Sequence, residues 1–351
     1  VTDYAFLVLP AANRVYAESA VGLTIAELEV FGSTVLSTPL TDLAATRIGG
    51  VPYVTFSVAS GELSPRDVSY LANLSSGYAL FVLSDVGGES LLRPVELTPL
   101  DVFDDDLITI QKYAGKTNEH FTKLLLNVTV LASSSGPAML DRRLHVFDPL
   151  CGRGTTLNQA LMYGYDATGM DLDGKDFEAY SGFVRTWLKR KRIKHKAETT
   201  PVRRERKVIG RQLRVDIGAD KQAYKSGDKL SLTMVNADTL QGREVFKASS
   251  FDVLVADLPY GVQHGSRSPA AALSRKPLEL LKAALPVWVE LLRPGGAVGL
   301  AWNTHVAARA EAAASLAAAG LEVCDGPAYL GFRHRVDSSI DRDVLVARKN
   351  A

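Results

Sequence analysis

The chain is expected to be an α/β protein. A mostly parallel, doubly wound sheet of the Rossmann type should fill residues 111–351, behind a smaller N-terminal α+β domain of ferredoxin-like order over residues 1–110. Three observations predict this. The first hundred residues alternate short β-rich runs with two helical patterns in the order β-α-β-β-α-β. From residue 144 onward, continuous apolar runs end in aspartate or asparagine and alternate with helices, as strands buried on both faces do. The charge changes sign between the two parts. Residues 1–110 hold fourteen acids against four arginines and no lysine, a net −10, whereas residues 185–214 alone hold thirteen Lys or Arg and two Glu, a net +11.

In the N-terminal part, YAFLVL (4–9) forms a strand and a helix follows from about Ala12 to Phe31. Strands near 42–48 and 51–58 are joined by a hairpin turn at Gly49-Gly50. Ser64-Pro65 starts a second helix, with serine at the cap and proline at the first helical position. ALFVLSDV (79–86) closes the series, and the acidic stretch Asp101 to Asp106 leads out of the domain.

The second part carries strands at LHVFDP (144–149), DATGMDLD (166–173), LTMVNAD (232–238), FDVLVADLPYG (251–261), AVGLAWN (297–303) and DVLVARK (343–349), the last paired near 323–332. Asp171 and Asp238 lie 67 residues apart, far more than the roughly 30 residues of a βαβ unit. A basic insert at about 189–231, an arm or hairpin, accounts for the excess.

Ordinary composition, 46% hydrophobic and 23% charged, suits a soluble globular protein. No apolar run is long enough for a bilayer span. The N-terminal text lacks the basic start of a secretory leader, and Asp3 and Glu18 flank its apolar stretch, so a cytoplasmic protein without a membrane partner is expected. Two cysteines, Cys151 and Cys324, make neither a disulfide framework nor a metal cluster, and no metal is expected.

The chemistry should gather where the strands end. After the first strand of the doubly wound part comes Asp148-Pro149-Leu150-Cys151-Gly152-Arg153-Gly154-Thr155, whose glycines let the backbone approach a ligand. It has GxG without the third glycine of the dinucleotide fingerprint. Asp171, at the end of the second strand, can accept hydrogen bonds from ribose hydroxyls or cap the next helix. Asp238, closing the third, can accept an adenine amino group or cap its own helix. The sharpest signal is Asp257-Leu258-Pro259-Tyr260-Gly261. A nucleobase amine is a poor nucleophile because its lone pair is delocalised into the ring. A carboxylate and a backbone carbonyl that accept its two N–H bonds pull it out of plane and stabilise charge that develops only in the transition state. The proline stiffens the turn, and the tyrosine can stack on an extruded base.

Taken together, Asp148-Pro-x-Cys-Gly-x-Gly-Thr, Gly169-Met-Asp171-Leu-Asp, Asn236-Ala-Asp238 and Asp257-Leu-Pro-Tyr-Gly resemble the amino-methyltransferases. Within these the chain is most similar to the THUMP-associated tRNA guanine-N2 methyltransferases, over about residues 111–351. The resemblance implies S-adenosylmethionine as cofactor and transfer of its methyl to an exocyclic amine, guanine N2 in tRNA or other RNA. It implies catalytic roles for Asp257, Leu258, Pro259 and Tyr260, with Asp257 accepting the amine proton. It implies a cofactor site of Thr117, Asn118, Phe121, Asp148, Leu150, Cys151, Gly152, Gly154, Thr155, Asp171, Leu172, Ala237, Asp238 and Asp257, the segment from Lys116 to Phe121 closing over the methionine end. Leu258 stands where the family commonly has proline, and Gln263 where Arg or Lys is expected. The N-terminal piece is acidic, unlike a phosphate-binding platform, and a full THUMP module is not expected within these residues. An RNA contact is assigned to Lys189, Arg190, Lys191, Arg192, Lys194, Lys196, Arg203 and Arg204, and a basic protein partner to the acidic domain. His264 and His334 are weaker candidates for the substrate cleft. Methylation of adenine N6 or cytosine N4 in DNA is the alternative activity, and a non-catalytic cofactor- or nucleic-acid-binding module is the alternative class.

Overall fold

The computed structural model describes residues 1–9, 14–59, 61–259 and 277–351, with residues 14–18 described by their backbone. The N-terminal part runs β1 (Thr2–Val8), α1 (Arg14–Thr34), β2 (Leu40–Ile48), β3 (Val51–Val58), α2 (Pro65–Leu71), β4 (Gly77–Val86) and β5 (Glu89–Val95). Its strands lie in the order β2-β3-β1-β4-β5, all antiparallel. This is the expected ferredoxin-like order with an extra edge strand. Gly49 and Gly50 both adopt positive φ, the mirror-image turn that a two-residue hairpin requires. Ser64 and Asp67 form a reciprocal capping box with Pro65 in the first turn. Strand β5 is the unexpected element. Its text, ESLLRPV, carries Pro94 and stays largely exposed, which edge strands tolerate and which hides their periodicity.

The second part runs α3 (Asp106–Thr109), α4 (Glu119–Ala132), β6 (His145–Asp148), α5 (Thr155–Met162), β7 (Asp166–Asp171) and α6 (Gly174–Arg190). It continues through β8 (His195–Arg204), β9 (Lys207–Ile217), α7 (Lys221–Ser226), β10 (Leu230–Asn236), α8 (Gly242–Val245) and β11 (Phe251–Asp257). It closes with α9 (Pro277–Leu291), β12 (Leu292–Asn303), α10 (Arg309–Ala318), β13 (Leu321–Val323), β14 (His334–Arg335) and β15 (Asp341–Lys349). The strand order is β13-β15-β12-β11-β6-β7-β10-β9-β8. The run β10-β7-β6-β11-β12 is parallel, and in chain order of those strands it reads 3-2-1-4-5, the doubly wound pattern with its switch point between β6 and β11. Strand β15 inserts antiparallel beside β12. The basic insert is a hairpin, as expected, but it is not a separate arm: β9 pairs antiparallel with β10 and widens the main sheet. Lys189 and Arg190 fall outside it, in the last turn of α6.

The two sheets share one core. A contiguous apolar cluster runs from Tyr4 and Phe6 through Leu28 and Phe31 of α1 to Leu124 and Val128 of α4. At its centre Glu27 is fully buried, accepting hydrogen bonds from the Ser75 backbone and hydroxyl and from Asn127 Nδ2. Asn127 also accepts from the Tyr163 hydroxyl. Burial raises the Glu27 carboxyl above its ordinary range against the pull of these donors. A polar network with every member bonded fixes how the elements meet.

Candidate active site

Open α/β sheets bind ligands outside the carboxyl ends of their strands, at the switch point. A cleft of about 200 Å³ lies there, lined by Pro149, Leu150, Asp171, Leu172, Asp238, Thr239, Leu240, Asp257, Pro259 and Leu280. Four loops, those after β6, β7, β10 and β11, build it together with Leu280 of α9. The expected residues Leu150, Asp171, Leu172, Asp238, Asp257 and Pro259 therefore come together.

The loop after β6 is shaped by its glycines. Gly152 and Gly154 have φ of 49° and 76°. A Cβ at Gly154 would collide with the Tyr180 ring, whereas at Gly152 it would meet nothing, so Gly152 faces open space. Gly152 N–H donates to Asp171 Oδ2 at 2.7 Å, and Asp173 N–H donates to Asp171 Oδ1 at 2.8 Å. The Asp171 carboxylate is thus oriented by two backbone donors at the cleft wall. Asp148 sits beneath, buried, and accepts from Leu150 N–H at 3.0 Å. Burial pushes Asp148 up to about 7, helped by the negative charge of Asp171 and Asp257 and opposed by Thr156 and the Leu150 backbone. Burial likewise pushes Asp171 up to about 6.

Asp257 is fixed from two other elements. Thr117 donates its hydroxyl to Asp257 Oδ2 at 2.6 Å. The buried guanidinium of Arg342, on β15, lies 4.0 Å from the same oxygen and 4.3 Å above the Phe121 ring. Neither contact follows from the text around Asp257. Arg342 arrives because β15 pairs antiparallel with β12, with Arg342 opposite Asn303. Leu258 buries its side chain in the core and donates its N–H to the Ala301 carbonyl. What it can offer a ligand is its carbonyl.

The other expected residues take supporting positions. Asp238 caps the short helical turn after β10 through Leu240 N–H, as its alternative reading held, while also lining the cleft. Asn118 caps α4, and Phe121 is buried under Arg342. Cys151 is buried with its side chain against Gly169, and burial holds its thiol well above the ordinary range. Thr155 bonds the Tyr113 hydroxyl, and Ala237 lies in the core. His334 is buried beside Phe121 rather than in the cleft. Tyr260, Gly261, Gln263 and His264 lie outside the described residues.

The basic residues do not form one surface. Lys191 is drawn into ion pairs with Asp104 and Asp106, and Trp187 Nε1 donates to Asp106, so the acidic exit of the N-terminal part docks on the end of α6. Lys196 pairs with Glu198. Lys189, Arg190, Arg192, Lys194, Arg203 and Arg204 are exposed.

Residues 136–294, somewhat under half the chain, match the family model "UPF0020: RMKL-like, methyltransferase domain". The match spans the β6, β7, β10 and β11 loops that line the cleft. No curated protein matches the chain. Among solved structures it is similar to a TehB-like SAM-dependent methyltransferase from Corynebacterium glutamicum, at 15% identity over 61% of this chain and 84% of that one, with a TM-score of 0.33. It is also similar to the 1,6-didemethyltoxoflavin-N1-methyltransferase of Burkholderia thailandensis, whose structure holds S-adenosylhomocysteine, at 16% identity over 68% and 94%, TM-score 0.33. A SAM-dependent methyltransferase of Methanosarcina mazei matches at 15% identity over 61% and 95%, TM-score 0.37.

Proposed function

We propose that this chain is an S-adenosylmethionine-dependent methyltransferase acting on an exocyclic amine of a nucleobase, guanine N2 in RNA being the first candidate. One observation carries the reading. The described lining of the switch-point cleft includes three carboxylates, Asp171, Asp238 and Asp257, and no cation. A dinucleotide brings an anionic pyrophosphate, which such a lining repels. S-adenosylmethionine brings a sulfonium and an ammonium, which it attracts. The apolar walls of Leu150, Leu172, Leu240 and Leu280 suit an aromatic ring system.

The residues fit this cofactor. Asp171 would hold its ribose hydroxyls, Gly152 would give its backbone room, and Asp238 would meet its adenine edge. When bound it supplies an electrophilic methyl group on sulfur. Asp257 and the Leu258 carbonyl accept the two N–H bonds of the target amine, which restores nucleophilic character to its lone pair. Thr117 and Arg342 both address Asp257 Oδ2, which fixes the orientation of that carboxylate before substrate arrives. Pro259, in the wall, removes a backbone donor that would compete for the same acceptors.

Calorimetric titration with S-adenosylmethionine and with NAD tests the cofactor, and only the first is expected to bind. Nucleosides from the RNA and DNA of cells with and without the gene, compared by mass spectrometry, test the substrate. Loss of N2-methylguanosine from RNA is the expected result. Loss of N6-methyladenine or N4-methylcytosine from DNA would overturn the RNA assignment.

A further inference from the structure

We infer that the tip of the β8–β9 hairpin is the arm that holds the RNA backbone beside the cleft, while the basic residues at the end of α6 and just before β8 do not touch it. The inference rests on the RNA reading above and divides the basic segment by position.

Register shows the division. His195, the first residue of β8, pairs with Ile217, and Ile217 pairs with Leu230, the first residue of β10. This row marks the amino-terminal edge of the parallel sheet, opposite the cleft. Helix α6 starts behind Asp171 and runs back across the sheet, which leaves Lys189, Arg190, Arg192 and Lys194 at that far edge. At the other end Pro201 pairs with Arg211, and Arg211 pairs with Asn236, the last residue of β10. The hairpin then continues past β10 as Val202–Arg204 against Lys207–Gly210, turning at Glu205 and Arg206, both with positive φ. From His195 to Arg204 an extended strand covers about 30 Å. The two halves of the basic segment are therefore at opposite ends of the sheet.

The tip is concentrated, exposed and anchored. Residues 203–207 hold Arg203, Arg204, Arg206 and Lys207 with only Glu205 opposing them, and all five are exposed. Val202 packs against the apolar cluster that includes Ala237. Gly210 lies so close to the end of β10 that a Cβ there would strike the Asn236 carbonyl and come within 3.1 Å of the Ala237 Cβ. The loop that the tip rests on is the loop that carries Asp238 into the cleft.

Electrostatics explains why such an arm is needed. Phosphates cannot settle over a cleft lined by three carboxylates. A neutral base can enter it, provided the backbone is held by cations outside. The tip supplies four of them on the cleft side of the sheet.

The test uses the full-length protein and unfractionated transfer RNA, with affinity measured against potassium chloride. One variant replaces Arg203, Arg204, Arg206 and Lys207 by alanine. A charge-matched control replaces Lys189, Arg190, Arg192 and Lys194. Each lost phosphate contact removes roughly 0.7–0.9 from the log–log salt slope, so the four-residue tip variant should flatten it by about 3–4 and the control by less than about 1. S-adenosylmethionine affinity, measured on both, reports that the fold is intact. Equal flattening by both variants would mean that net charge alone acts and would overturn the arm. A wild type that methylates RNA while the tip variant keeps the full slope overturns the arm and leaves the substrate reading standing. A steep, tip-dependent slope with no methyl transfer to RNA overturns the substrate reading and leaves the arm.

Discussion

Asp252 and Asp257 stand at opposite ends of one strand, β11, and each borders a cavity. At the amino-terminal end Asp252 is buried and receives the Arg142 guanidinium on one oxygen, and Arg293 at 2.5 Å and His145 N–H at 2.8 Å on the other. The adjoining cavity, lined by Ser134, Ser135, Arg142, Arg143, Asp252, Arg293, Pro294 and Gly296, is the larger of the two at about 300 Å³. Yet its one carboxylate is held between two of its arginines, and Arg143 turns to Asp228. At the carboxyl end the smaller cleft concentrates carboxylates and admits no cation among its described lining residues. Cavity size therefore does not mark the active end. The carboxyl end is marked instead by three carboxylates gathered on one cleft, Asp171 oriented by backbone donors and Asp257 by Thr117 and Arg342. One end of β11 is a structural joint, and the other is where the proposed function puts a cationic ligand.

The largest expected effect that separates the two ends comes from the carboxylates themselves. Asp257→Ala should lower turnover by about 10²–10³-fold, the range lost when one preorganised transition-state partner is removed. Its cofactor affinity should fall far less, by at most about tenfold, because its hydrogen bonds form to the amine and only its charge acts on the cofactor. Weak cofactor binding by that variant would make Asp257 part of the scaffold and erase the contrast. Asp252→Ala should do the reverse. It strands Arg142 and Arg293, both about half exposed, so the cost should be about 2–4 kcal/mol of stability in urea denaturation. Its turnover at low temperature should be close to wild type. Activity loss without a shift in the unfolding midpoint would mean that the two ends communicate.

The cleft was legible in the sequence to a degree that the arm was not. Asp148, Asp171, Asp238 and Asp257 each follow directly on an apolar strand, and in a doubly wound sheet every such strand end points to the same edge. Local text therefore locates them in space. Arg342 and Thr117 meet Asp257 through long-range pairing, from 85 and 140 residues away, and nothing near either residue announces the contact. The basic segment was legible in another way. Its charge was plain, but which of its residues stand beside the cleft depends on where β9 registers against β10, and a one-dimensional charge count treats both ends alike. Strand β5 was missed because an exposed edge strand with a proline has no hydrophobic alternation to show.

The smallest expected effect is also the one that tests the charge argument most directly, through pH. Asp148 and Asp171 have folded-state values raised from 3.8 to about 7 and about 6. Between pH 4 and 7 the folded protein therefore binds more protons than the unfolded chain, and these two groups make stability fall as pH rises, with a slope of up to about 1.4 kcal/mol per pH unit for each. Affinity for a cationic cofactor should move the other way. Ionised carboxylates attract the sulfonium and ammonium, so binding should tighten by about tenfold, or 1.4 kcal/mol, between pH 5.5 and 8. Asp148→Asn separates the two trends. The amide oxygen can still accept from Leu150 N–H, while the buried charge is gone. Relative to wild type, this variant should gain stability at pH 8 and lose part of the pH dependence of cofactor binding, read by urea denaturation and calorimetry at each pH. If Asp148→Asn instead destabilised the protein at pH 8 and left the binding profile intact, Asp148 would belong with Asp252 as a structural joint. The cationic character of the cleft's ligand would then have to rest on Asp171, Asp238 and Asp257 alone.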